Sequence, residues 1–152
     1  MNTYSVLLFV HIVCAVIWVG GAFALQILAF LVNRTGDQLE LARLMHYFEV
    51  IGSRVFVPVA ILLFIAGTVM TLQAWSFGKT WIAVSVALWV LSAVAGAVYL
   101  GPRAKRVGDL FDAEGPSSEA GQALMKRLFL VSRFELVSFA IIVALMVFKP
   151  GS

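Results

Sequence analysis

The sequence predicts an all-α integral membrane protein, a four-helix bundle whose second and fourth helices extend beyond the bilayer on the cytoplasmic side. Three observations predict it. The 152 residues are 62% hydrophobic and 12% charged, whereas soluble domains run near ~45–50% apolar and ~25% charged. The charges are segregated, leaving four long apolar runs of membrane-crossing length. An amphipathic stretch after Asp37 and a helix start near Pro116 lengthen the second and fourth helices beyond the bilayer. A lone helix satisfies its own backbone in lipid, so each run is expected to be helical.

The first run, residues 3 to 33, contains no charge and is long enough for one tilted helix. Asn33-Arg34-Thr35-Gly36-Asp37 then reads as a tight turn with Asp37 as N-cap. In the next stretch, QLELARLMHYFEVIG, Leu41, Leu44, Met45, Phe48 and Ile51 share a face, while Glu40, Arg43 and Glu49 lie elsewhere. The second helix therefore starts near Asp37 and projects from the bilayer before entering it. Val55 to Gly78 and Thr80 to Pro102 are the second and third uncharged runs. RAKRVGDLFDAEGPSSEAGQ is polar and punctuated and is read as the one real loop, with a helix start at Pro116-Ser117-Ser118. The fourth run, about Leu128 to Phe148, is apolar except for Arg133 and Glu135. The chain thus reads as one domain over 1–152, with spans near 4–32, 52–76, 80–101 and 126–148.

Every Lys and Arg except Lys79 and Lys149 falls in or beside the connections after the first and third helices. By the positive-inside rule those connections are cytoplasmic and both termini lie outside, in a bacterial-type inner membrane. The net charge of +3 is read as a topology signal, and no nucleic-acid partner is expected. The lipid bilayer is the expected partner, with a homo-oligomer or a larger membrane complex beside it. No cleavable signal peptide is expected, because a basic n-region is missing before the first run. The single cysteine, Cys14, lies inside that run and says nothing about redox compartment.

Ionisable groups inside spans are costly and tend to face a bundle interior or cavity. His11 is the first. It is a candidate haem ligand, or else it hydrogen-bonds a neighbouring helix or sits near the outer interface. His46, the other histidine, does not complete a bis-histidine site. Counted from the intervening turn, the two differ in depth by about 18 Å at ~1.5 Å per residue. His46 is read as an interfacial residue without a metal role. Trp18 lies two turns from His11 on nearly the same face. Gly20 and Gly21 remove bulk beyond it, for close helix approach or for a flat ligand. Arg133 and Glu135, two apart, point to different sides. Arg54 is the expected partner of Glu135, and Glu49 of Arg133. They form either an ion-pair clamp between the second and fourth helices or an anion site for a carboxylate. Either way these groups are expected to face inward.

Three stretches carry a family resemblance. His11-x6-Trp18-x2-Gly21, YFEVIGSRVFVPVAIL with Arg54 and Pro58, and SRFELVSFAIIVALMVFKP resemble segments of the HemJ-type protoporphyrinogen oxidases. The whole chain looks closer still to an uncharacterised family of small four-span proteins, similar to both HemJ and the CopD copper-resistance membrane domain. The resemblance implies a bundle that binds haem b or a related porphyrin, with His11 as axial metal ligand. Trp18, Gly21, Arg54, Arg133 and Glu135 are then cofactor-binding positions. The chain departs from HemJ where that family carries a lysine in the third helix. TWIAVSVALWVLSAVAG has no ionisable residue, and Ser85 stands near that position. The asparagine before the fourth-helix glutamate is missing too. Both departures weigh against oxidase activity. The expected function is therefore haem or porphyrin binding with a redox or porphyrin-handling role. The alternative is a non-catalytic accessory or assembly subunit, marked by partner-facing Trp75, Trp81 and Trp89. Copper handling is a weaker alternative, because soft ligands other than Cys14 and His11 are scattered.

Overall fold

The computed structural model describes residues 2–115 and 118–151. Four long helices account for nearly all of them: α1 Thr3–Thr35, α2 Leu39–Ala74, α3 Thr80–Glu114 and α4 Glu119–Phe148, each long and apolar enough to cross a membrane. The ends are set by local chemistry. The Asn2 side chain accepts from the Tyr4 and Ser5 amides at the start of α1. Gly36, in the left-handed region at φ +77°, ends it. Asp37 accepts from the Glu40 amide at 3.0 Å and starts the next helix, as its sequence position predicts. Ser118 Oγ accepts from the Gly121 amide at 3.1 Å and donates to Glu114. Pro116 and Ser117, predicted to share in that start, lie outside the described residues.

One expectation is corrected. The segment from Arg103 to Glu114 is not a loop, because α3 runs straight through it. Ala104, Val107, Gly108 and Phe111 recur at helical spacing and are buried, while Lys105 pairs with Asp109 at 3.0 Å on the exposed side. The high charge of the segment hid a narrow buried stripe. α3 ends at Glu114 and α4 starts at Glu119.

Three helices contain a π-helical stretch: Val16–Gly20 in α1, Gly52–Phe56 in α2 and Ala95–Leu100 in α3. Proline explains two of them. Pro58 and Pro102 lack the amide that would bond the carbonyl four residues back, and their rings crowd it. Those carbonyls belong to Arg54 and Val98, each inside a π stretch. The wider turn lets the helix continue past the proline.

The bundle has two cores. One, at the charged end, joins Leu41, Leu44 and Met45 of α2 to Val107 and Phe111 of α3 and Met125 and Leu128 of α4. The other, in the membrane part, joins Cys14 and Trp18 to Ala60, Leu63 and Phe139. Large exposed apolar side chains such as Phe9, Leu72, Val98 and Phe148 cover the outside, as a lipid-facing surface requires.

Helix contacts are made by rings seated on glycines. A Cβ on Gly121 of α4 meets Phe111 of α3 at 2.7 Å, and one on Gly108 of α3 meets His46 of α2 at the same distance. A Cβ on Gly21 of α1 meets Phe56 of α2 at 2.9 Å. Gly20, by contrast, faces open space. Gly121→Ala is therefore expected to cost about 1–3 kcal/mol through overpacking. Gly20→Ala is expected to be neutral or to stabilise by up to about 1 kcal/mol through helix propensity. Thermal unfolding of the purified protein in detergent distinguishes the two; equal effects at both positions would contradict this packing.

Candidate ligand cavity between the helices

A cavity of about 580 Å³ lies between the two cores. Each π stretch opens onto it: Trp18 from α1, Gly52, Ser53 and Phe56 from α2, and Gly96, Ala97 and Leu100 from α3. α4 closes the fourth side with Ser132, Glu135 and Phe139. On α3 the lining runs from Trp89 to Lys105, about 24 Å along the axis at ~1.5 Å per residue. The cavity is therefore elongated along the bundle.

Its deep end is aromatic. Trp18 packs on Phe139 at 4.7 Å and lies 6.3 Å from Trp89, which stacks on Phe64 at 4.4 Å. Its middle carries the polar groups. Ser132 Oγ donates to Gln26 Oε1, tying α4 to α1. Glu135 is half-buried, and its Oε1 lies 3.7 Å from where a Cβ on Gly96 would sit. Among the described residues no ion pair involves Glu135; the pairs found are His46–Asp112 and Lys105–Asp109. Glu49 and Lys105 line the mouth at the charged end. Apolar walls with a few convergent polar groups, at this volume, are the ordinary makeup of a small-molecule site. π-bulges also gather at functional sites.

Of the residues predicted from sequence, Trp18 and Glu135 line this cavity; His11, Gly21, Arg54 and Arg133 do not. Arg54 and Arg133 are exposed, which corrects the expectation that they face inward. The expected pairs Arg54–Glu135 and Glu49–Arg133 are likewise not among the ion pairs formed by the described residues. Gly21 serves close packing, against Phe56. Trp18 lies inside the π stretch Val16–Gly20, which departs from the α-helical register that carries His11.

His11 is seated between α1 and α2. Its Nδ1 lies 3.0 Å from the Leu63 carbonyl, and a carbonyl only accepts, so Nδ1 carries the proton and donates. The ring fills the space a Cβ on Gly67 would need, with Cε1 at 2.9 Å. Nε2 keeps its lone pair, the usual arrangement of a ligating histidine, but the residue stands outside the cavity lining. His46 Nε2–H donates to Asp112 Oδ2 at 2.9 Å, linking α2 to α3. It precedes Leu63 by 17 residues on the same helix, about 26 Å at ~1.5 Å per residue, so the two imidazoles are far apart, as the depth argument requires.

The other sequence marks find partners within the chain. Trp75 and Trp81 make an edge-to-face pair at 5.3 Å, with Lys149 Nζ 4.8 Å from the Trp75 ring. Trp89 stacks on Phe64. Trp81 is buried, and Trp75 and Trp89 are partly buried with ring partners inside the chain. Cys14 is buried in the membrane core, and no cluster of three or more His, Cys, Asp or Glu suited to a metal occurs among the described residues. Gln26, Trp89, Ser92 and Gly96 line the cavity without having been predicted. Gln26 had a visible signal, a lone amide in an apolar run.

A family model described as "Predicted integral membrane protein (DUF2269)" matches residues 5–150 of the chain. No curated protein and no solved structure matches it. The family match supports the small membrane family expected from the sequence and adds nothing for kinship with HemJ or CopD.

The seating of His11 gives a double-variant test. Gly67→Ala is expected to destabilise the protein by about 1–3 kcal/mol, because its new methyl meets the imidazole. In a His11→Ala background the same change is expected to cost close to nothing, since the ring is gone. Additive effects on detergent unfolding would show that the two residues are not in contact.

Proposed function

The chain belongs to the DUF2269 family of predicted integral membrane proteins, and we propose that it holds a flat lipophilic molecule with N–H or O–H donors in the cavity between its helices. One observation carries this reading: a half-buried carboxylate, Glu135, stands unpaired by any cation in an apolar, aromatic-walled cavity of about 580 Å³. An intramembrane carboxylate is costly unless it has work to do. A donor on a bound ligand gives it a hydrogen-bond partner, and Trp18, Trp89 and Phe139 give the ring system faces to lie against.

Porphyrins and quinols share this chemistry, and the resemblance to HemJ favours the porphyrin. Haem with His11 as axial ligand fits less well, because His11 is committed to Leu63 and Gly67 and no histidine lines the cavity. Binding is therefore assigned to ring faces and to Glu135, with porphyrin handling favoured over iron-centred redox chemistry. In a bacterial-type plasma membrane, the Lys and Arg distribution puts the Glu49–Lys105 mouth on the cytoplasmic side and both termini outside.

Titration of the protein in lipid nanodiscs with protoporphyrin IX, haem and a short-chain ubiquinol, read by tryptophan quenching, tests the reading. At least one probe is expected to bind above its partition into empty nanodiscs. Glu135→Gln is expected to weaken it about tenfold, the ~1.4 kcal/mol of one hydrogen bond to a charged group. No binding above lipid partition for all three would overturn the proposal. A haem Soret band that disappears in His11→Ala would restore the axial ligand.

A further inference from the structure

α3 carries a second feature that the cavity absorbs only in part, since Trp81 and Ser85 lie outside its lining. Trp81, Ser85 and Trp89 recur every four residues, so they share one face. Their polar atoms, Trp81 Nε1, Ser85 Oγ and Trp89 Nε1, are buried and have no hydrogen-bond partner in the protein. Trp81 is 4% and Ser85 1% exposed. In lipid, three such orphans on one face are expensive. Elsewhere in the chain hydroxyls solve the problem by bonding back along their own helix: Thr71 to the Gly67 carbonyl, Ser138 to Phe134 and Ser53 to Val50. Ser85 does not.

The stripe continues. Ser92, buried at the cavity wall three residues on, and Gly96, which faces Glu135 four residues further, follow at helical spacing. From Trp81 to Gly96 it covers about 22 Å at ~1.5 Å per residue. It begins beside the Trp75–Trp81 pair and Lys149, at the end of the bundle that carries the termini. Buried polar atoms without protein partners are ordinarily satisfied by ordered water. The indoles offer donors only, and the serine hydroxyls both donate and accept, so waters between them can form a continuous file.

We propose that this face of α3 binds a file of water running from the Trp81 end of the bundle to the cavity, where it hydrates Glu135 and carries protons to and from its carboxylate. A proton accepted by Glu135 is replaced, water by water, from solvent at the Trp81 end; a proton released leaves by the same route. The file rests on the cavity reading only for its end point.

Proton-detected solid-state NMR of the full chain in nanodiscs, with ¹⁵N-indole tryptophan, tests it without any ligand. Trp81 and Trp89 Nε1–H are expected to receive magnetisation from water and to exchange with D₂O despite their burial. Ser85→Val is expected to slow exchange at Trp89 by at least about tenfold while leaving Trp75 unchanged. Absence of water transfer to Trp81 and Trp89 in the wild type would overturn the file. So would Trp89 exchange unchanged by Ser85→Val. If Ser85→Val fails to fold, the wild-type spectrum alone decides, and Ser85→Ala supplies the milder comparison. Failure of ligand binding with water transfer intact would remove the proposed ligand and leave the file; the reverse would remove the file and leave the ligand.

Discussion

Close approach of helices at glycine is the constraint on which the rest of this structure depends. In lipid, one apolar helix gains little hydrophobic energy by touching another, so packing and specific contacts hold the bundle. Here a ring from one helix occupies the missing side chain of its neighbour: His11 on Gly67, Phe56 on Gly21, His46 on Gly108 and Phe111 on Gly121. Each successive helix pair has at least one such contact. Two of the rings are imidazoles, and each adds a hydrogen bond, to the Leu63 carbonyl and to Asp112. Both histidines thus act as packing elements, whatever else their free nitrogens can do.

His11 on Gly67, His46 on Gly108 and Phe111 on Gly121 hold the bundle on either side of its open middle, and Phe56 on Gly21 sits at the cavity wall. Pro58 and Pro102 impose a local widening on α2 and α3, and α1 has its own π stretch before Gly21. All three wide turns lie at the cavity. The opening is therefore a consequence of backbone chemistry as well as of small side chains. Proline and the wide turn act together: the missing amide and the crowded carbonyl are tolerated because the helix shifts register around them.

The polar groups inside the membrane fall into two kinds. Ser132 with Gln26, Thr71 with Gly67 and Ser138 with Phe134 are satisfied within the protein. Glu135 and the Trp81, Ser85 and Trp89 atoms are not held by charge or hydrogen bond in the same way. Structural polar groups in a bilayer pair among themselves, and groups left open belong with ligands, water or ions. That separation sets the unpaired groups on α3 and α4, away from His11.

The sequence by itself determined the membrane class, the four helices and the cap at Asp37, because segregation of charge and the needs of a backbone in lipid leave few alternatives. It also singled out Trp18 and Glu135, which line the cavity. It missed the helical course of residues 103 to 114, where a buried stripe of Ala104, Val107 and Phe111 is masked by charge. It grouped His11 with Trp18 because an unbroken α-helix was assumed between them. Only the tertiary structure decided that Arg54 and Arg133 point outward, that His11 belongs to Gly67, and that Gln26, Trp89 and Gly96 meet at one cavity. The physical reason is that composition reports the solvent a segment prefers. Which face a side chain takes depends on the register of each helix, and three π turns reset that register where the site lies.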